Sequence, residues 1–155
     1  MQTLTIPIPE GFEIDSLDKS TGKITLREKP KDIMERIHSV EDAIRCLGST
    51  DEEVIILQKL QQVFSDDSHP VAHQKAVVLT KAFNEGWVPE WNDSNQWKYF
   101  PWFEMGGSSG FRCGGYDHWA SDSTVGSRLC FKSSKLAEHV GKKFTTVYKQ
   151  FMLIK

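Results

Sequence analysis

The stretch Trp97-Lys-Tyr-Phe-Pro-Trp-Phe103 decides how this chain is read. Five of its seven residues are aromatic, which favours an extended strand over a helix. In a strand, Trp97, Tyr99, Pro101 and Phe103 fall on one face and Lys98, Phe100 and Trp102 on the other. Both faces are rich in apolar groups. One can cover a core built with helices. The second needs a cover of its own: another part of the chain, a partner or a ligand. Pro101 has no N–H to give to a ladder, so it pushes this strand toward an edge or a bulge.

The surrounding segment, 87–131, differs from the rest of the chain. It holds all five Trp, eleven of the seventeen aromatics, and six Gly between 106 and 126. That mixture predicts three strands in a meander, at about 97–105, 110–119 and 125–131. Two readings of the segment stay open. It is a two-sided core between helices, or a platform whose aromatic rings cover a partner.

Upstream, Phe12, Ile14 and Leu17 lead into Asp18-Lys-Ser-Thr-Gly22, and Ile24 and Leu26 alternate with Lys23 and Thr25, which predicts a hairpin over 12–26. Residues 30–47 predict one or two short helices, with Pro30 at a start, Ser39 as a cap and Gly48 as a stop. Thr50-Asp-Glu-Glu53 reads as a capping box before Ile56, Leu57, Leu60, Val63 and Phe64, a single apolar stripe. Pro70 opens a further helix with the stripe Ala72, Ala76, Leu79 and Phe83, ended by Gly86. Downstream, Ser133 or Ser134 caps a helix over about 134–151. Leu136, Val140, Phe144, Val147 and Phe151 lie on its buried arc, and Lys135, Lys142 and Lys149 opposite them.

The expected fold is therefore α+β. An antiparallel sheet from the C-terminal half packs on about three main helices, beside an N-terminal β-hairpin. The 155 residues suit one domain, with 1–29 as an extended arm and hairpin. A chain of this length buries about 68–70% of its unfolded surface and needs no metal or disulfide staple.

The net charge of −2 argues against a general nucleic-acid binder, but it hides an asymmetry. Residues 132–155 carry six Lys and one Glu, a balance of +5, so 1–131 carry −7. Three cysteines, Cys46, Cys113 and Cys130, make no disulfide framework. The start of the sequence has no signal-peptide pattern, and no apolar run reaches the ~20 residues that span a bilayer. A reducing cytoplasm, or a particle assembled there, is the expected setting.

Four constellations suggest chemistry. Gly106-Gly-Ser-Ser-Gly110 matches the G-x-S-x-G of a hydrolase elbow centred on Ser108, but strand-like residues follow it and a loop explains it. His69 and His73 share a helix face without the intervening Glu of a zinc protease. Cys113, Asp117, His118 and Cys130 lack metal-ligand spacing. Asp117-His118 with Ser121, Asp122 and Ser123 suits a turn better than acid–base work. No cofactor or metal is expected, and there is no phosphate-cradling Gly motif.

Several blocks resemble a group of small bacterial prophage and mobile-element proteins. They are Ile-Pro-Ile-Pro-Glu-Gly-Phe-Glu-Ile-Asp (6–15), Ala-Phe-Asn-Glu-Gly-Trp-Val-Pro-Glu-Trp-Asn (82–92) and Tyr-Phe-Pro-Trp-Phe-Glu-Met (99–105). Val-Gly-Ser-Arg-Leu-Cys-Phe-Lys-Ser (125–133), the most specific, is followed by blocks at 135–144 and 148–151. The resemblance implies a phage-like origin, in a host cell or a virion. That group carries no established activity, so no catalytic residue comes over from it. The Trp/Gly-rich stretch ending in Gly126-Ser-Arg-Leu is also distantly similar to the ligand-displaying end of C-type-lectin-like phage receptor-binding domains, though the Lys-rich helix after it departs from that pattern.

The resulting expectation is a non-catalytic binding or structural accessory protein. Its contacts would be Trp97, Tyr99, Trp102, Arg112, Tyr116, Trp119 and Arg128, and its partner a protein or a carbohydrate rather than a membrane. A second reading is a nucleic-acid accessory protein that sets Lys135, Lys142 and Lys149 against phosphates. A third is a small hydrolase or metal enzyme on Ser108 or on Cys113, His118 and Cys130.

Overall fold

A computed structural model of the chain describes residues 5–29, 31–107 and 110–154. The expectations for Pro30 and Ser108 fall outside these residues. The chain divides into two compact units, Met1–Asp32 and Ile33–Lys155.

The first unit is the predicted hairpin. Strands β1 (Phe12–Asp18) and β2 (Lys23–Glu28) pair antiparallel. Asp18 accepts hydrogen bonds from Ser20 and Thr21, and Gly22 takes the left-handed conformation (φ 70°) that closes the turn. These bonds hold the Asp18 carboxyl down at about 2.

The second unit is α+β. It contains the helices α1 (Ile33–Arg36), α2 (Val40–Leu47), α3 (Glu52–Val63), α4 (His69–Asn84), α5 (Ser134–Lys143) and α6 (Thr145–Met152), with strands β3 (Lys98–Glu104) and β4 (Arg112–Trp119) between α4 and α5. Helix α4 is central. It packs against α2, α3, α5 and α6, and it is buried on nearly every side from Val71 to Asn84. The stripe Ala72, Ala76, Leu79 and Phe83 is buried as expected, but it is only part of that surface. Helix α5 lies across both β3 and β4 and joins the sheet to the bundle.

Local signals set most boundaries. Ser39 caps α2 with a full capping box, its Oγ accepting from Asp42 N while Asp42 accepts from Ser39 N. Ser133 caps α5. Helix α3 departs from expectation: Asp51, not Thr50, is its cap and accepts from Glu53 N. Glu53 turns inward, where Gln74 and Arg128 donate to its carboxylate. That rotates the helix. Val54 and Leu57 are buried, while Ile56, Val63 and Phe64 of the expected stripe are exposed.

The C-terminal helix also differs, because it breaks at Phe144 (φ −109°, ψ 28°). The Thr145 hydroxyl donates back to the Gly141 and Lys142 carbonyls, the side-chain competition that bends helices at Thr. Leu136, Val140 and Phe144 are buried as expected, whereas in α6 the deepest residue is Tyr148.

The predicted three-stranded meander is a two-stranded sheet, β3-β4, and the hairpin forms a separate sheet. Residues 125–131 touch β3 through one bridge, Tyr99 to Phe131, with paired backbone bonds of 3.0 and 2.6 Å. The next position along that edge is Pro101, which has no N–H, so the ladder stops. The buried Asn84 side chain holds the segment instead, donating to Cys130 O at 2.9 Å and accepting from Lys132 N at 3.0 Å. No described helix is long and apolar enough to cross a membrane.

Candidate functional site

The β3-β4 register builds the site. Tyr99 pairs with His118, Pro101 with Tyr116, and Phe103 with Cys113, so these six side chains share one face. The register slips between Trp102 and Phe103, making Gly114 the extra residue of a bulge. The inner end of this face packs on α5. Gly141 sits so close that a Cβ there would lie 2.7 Å from both Pro101 Cβ and Cys113 Sγ. Phe103 stacks on Phe111 at 5.0 Å and meets Tyr148 at 4.8 Å.

The outer end of the same face is a run of rings. Trp97 meets His118 edge-on at 4.7 Å, His118 lies 5.4 Å from Tyr99, and Tyr99 meets Tyr116 edge-on at 5.8 Å. Trp97 is 47% and Tyr116 44% exposed. The opposite face carries Trp102 and Trp119, 56% and 45% exposed. Trp102 stands across from Gly115, which has no side chain to shade it.

Between those two Trp, the opposite face is closed. Phe100 and Lys98 are buried, Lys98 to 1% exposure. Its ammonium donates to the carbonyls of Glu90, Asp93 (3.2 Å) and Ala120 (2.8 Å). The Trp91 ring lies 5.3 Å from Nζ, and Trp91 Nε1 donates to Ser127 Oγ at 2.8 Å. A backbone cage therefore takes the place of a carboxylate and ties 90–93 and Ala120 to β3, next to Trp97 and Trp119.

Of the residues singled out in the sequence, Trp97, Tyr99 and Tyr116 come together, and Trp102 and Trp119 share the other face. His118, which the sequence sets in a candidate metal group and in a polar turn, completes the run of rings; its signal for that place is its alternation with Tyr116 along β4. Arg112 is engaged by its cross-strand neighbour Glu104 through two bonds of 2.8 and 2.5 Å. Arg128 lies in a different place, a cleft of about 150 Å³ with Glu53, Lys81, Asn84 and Trp87. Lys135, Lys142 and Lys149 are all exposed, but the break at Phe144 divides them between α5 and α6, and Lys142 is bonded to Glu138.

Among the described residues the chemical constellations do not assemble. The segment after Gly110 runs into β4, not into the helix that a nucleophile elbow requires. Among the described residues, no group of three His, Cys, Asp or Glu side chains is placed to hold a metal ion. Burial pushes the Cys113 thiol up, and the Cys130 thiol up to about 11, so both stay protonated at neutral pH. His69 and His73 stack at 6.4 Å, and His73 meets the edge of Phe151 at 5.4 Å. Burial, and then the neighbouring His69, lower His73 from 6.5. No family model, no curated protein and no solved structure matches the chain.

Proposed function

We propose that this chain is a non-catalytic binding or structural accessory protein of a prophage or mobile element, acting in the host cytoplasm or in a particle assembled there. The observation that carries the binding role is the exposure of Trp97, Trp102 and Trp119, each close to half, on a sheet of only two strands. Large rings left open in this way offer apolar area at little cost in side-chain ordering, which suits a protein or carbohydrate surface. The mobile-element setting rests on the resemblance of the blocks at 6–15, 82–105 and 125–151.

Charge favours these partners over nucleic acid. Residues 87–131 carry Lys98, Arg112 and Arg128 against Glu90, Asp93, Glu104, Asp117 and Asp122, a balance of −2. Lys98 is caged and Arg112 is paired. A polyanion would meet net repulsion at the rings.

The test compares the full chain with a Trp97→Ala, Trp102→Ala, Trp119→Ala variant. Both are immobilised and exposed to neutral oligosaccharides, single-stranded DNA and host-cell extract. Retention of an oligosaccharide or a protein by the native chain, reduced at least about tenfold in the variant, is expected for hot-spot aromatics. Equal retention by both chains overturns the role of the rings. Retention of DNA that falls steeply with salt would replace this reading with the nucleic-acid one.

A further inference from the structure

The cleft that holds Arg128 lies away from the rings, between the C-terminal half of α4 and two loops, and encloses about 150 Å³. Val77, Lys81 and Asn84 line it from one side of α4, as their spacing on a helix requires. The helix ends at Glu85 in the left-handed region (φ 50°), and Trp87 N donates back to Asn84 O at 3.0 Å. The chain therefore turns at once, and Trp87, Val88 and Pro89 form one wall. Ser127 and Arg128 form the other. The walls are fastened: the Asn84 amide holds Cys130 and Lys132, and Trp91 Nε1 donates to Ser127 Oγ at 2.8 Å, tying one loop to the other.

The side chains of the cleft differ in what they have left to give. The Asn84 amide is used at both ends, and the buried Thr80 hydroxyl donates to Ala76 O at 2.8 Å. Both Glu53 oxygens accept, one from Gln74 and one from Arg128 Nε. Arg128 spends only that Nε. Among the described residues its two terminal nitrogens meet no acceptor, and neither does the Trp87 Nε1–H. Lys81 is paired with Asp51 at 2.7 Å. Lys81 and Arg128 thus offset Glu53 and Asp51, so net charge does not select a ligand here. The unused donors do, and the guanidinium supplies most of them.

We infer that this cleft is a binding site for an apolar carboxylate, with the acid group on the terminal nitrogens of Arg128 and the carbon body against Trp87, Val88 and Pro89. A guanidinium bonded through Nε leaves Nη1 and Nη2 side by side, and that pair matches the two oxygens of a carboxylate. Glu53 holds the guanidinium from the helix side and so presents the pair outward. Trp87 and Pro89 are half-buried and Val88 is exposed, which leaves apolar area for the ligand to cover. The cleft admits one small body, on the order of ten non-hydrogen atoms. A free aryl or branched-chain acid has that form, and so does the last residue of a peptide with its terminal carboxylate. The site is separate from the rings and does not depend on their role.

Nitrogen–proton correlation NMR of the full chain tests this, with the Trp87 indole signal assigned by its loss in Trp87→Phe. Sodium phenylacetate should shift that signal saturably, with a Kd on the order of a millimolar or below. Phenylacetamide keeps the ring without the charge and should bind at least about tenfold more weakly. Arg128→Gln should weaken phenylacetate at least about tenfold, and Arg128→Lys, which keeps the charge without the paired nitrogens, at least about fivefold. Val88→Asp changes an exposed residue, leaves the Arg128–Glu53 pair in place, sets a second carboxylate at the mouth, and should weaken binding at least about fivefold. A pentapeptide ending in Leu separates the two sources. Binding at least about tenfold tighter than N-acetylleucine assigns the site to a peptide terminus, and equal or weaker binding assigns it to a free acid. No saturable shift of Trp87 up to about 20 mM phenylacetate overturns the inference. So does an amide that binds as tightly as the acid, or inorganic phosphate that binds more tightly than it. A Kd that Arg128→Gln or Val88→Asp leaves unchanged overturns it as well.

Discussion

Replacing Lys98 with Met keeps the length of the side chain but removes its charge and all three of its N–H donors. The carbonyls of Glu90, Asp93 and Ala120 then lose their partner inside a site where Lys98 is 1% exposed. A hydrogen bond from a charged donor contributes about 1.5–3 kcal/mol, and a buried acceptor left unsatisfied costs about 1–3 kcal/mol. Two effects oppose the loss. Met does not carry the several kcal/mol of desolvation that a buried ammonium does. The loop 90–93 is partly exposed, so some carbonyls can turn to water. The expected net cost of Lys98→Met is about 2–4 kcal/mol. For a domain of this size each kcal/mol lowers the melting temperature by about 2–4 °C, which predicts a drop of roughly 5–15 °C. Thermal unfolding followed by near-ultraviolet circular dichroism reads it. Trp91, whose ring stands 5.3 Å from Nζ, should change its fluorescence in the folded variant. A melting temperature unchanged or raised would refute the reasoning. It would mean that removing water from the ammonium costs as much as the three bonds return.

Gly141→Ala should destabilise the fold by about 1–3 kcal/mol through overpacking, although Ala is normally the better helix former by about 1 kcal/mol, because the new methyl meets Pro101 and Cys113 at 2.7 Å. Urea unfolding decides it, and a stabilised variant would show that α5 is free to move off the sheet. His73 has a folded value below 6.5, so its neutral form is favoured in the native state. Its contribution to stability is complete above pH 6.5 and is lost as the pH falls toward the folded value. His73→Gln should therefore flatten the fall in melting temperature below pH 6.5, and an unchanged slope in the variant would contradict that assignment.

The binding face was partly legible from sequence. Alternation along 97–103 named Trp97, Tyr99 and Trp102, and density of aromatics named Tyr116 and Trp119. His118 stands out in the sequence only as a metal candidate or a turn residue, because Asp, His and Ser beside it read that way, and its place among the rings is not legible there. Arg112 and Arg128 were named for their charge, yet Arg112 answers Glu104 across the strand pair and Arg128 answers Glu53 on α3. A pairing that spans 75 residues leaves no mark on local sequence.

What the sequence by itself determined is what depends on neighbours a few residues away. The hairpin closes where Asp18 and Gly22 suit its turn, α2 begins at the Ser39 cap, and α5 follows its apolar period. Pro101 marks the edge where the third strand fails, since a missing N–H is a property of the residue. Only the tertiary structure decided which face of α3 is buried, because Gln74 and Arg128 draw Glu53 inward against the apolar pattern. It also decided that Lys98, a charged residue between aromatics, lies inside while Trp102 and Trp119 lie outside. Two backbone carbonyls from the loop just before β3 and one just past the end of β4 fold over the Lys98 ammonium, and among the described residues no such cover reaches those two rings.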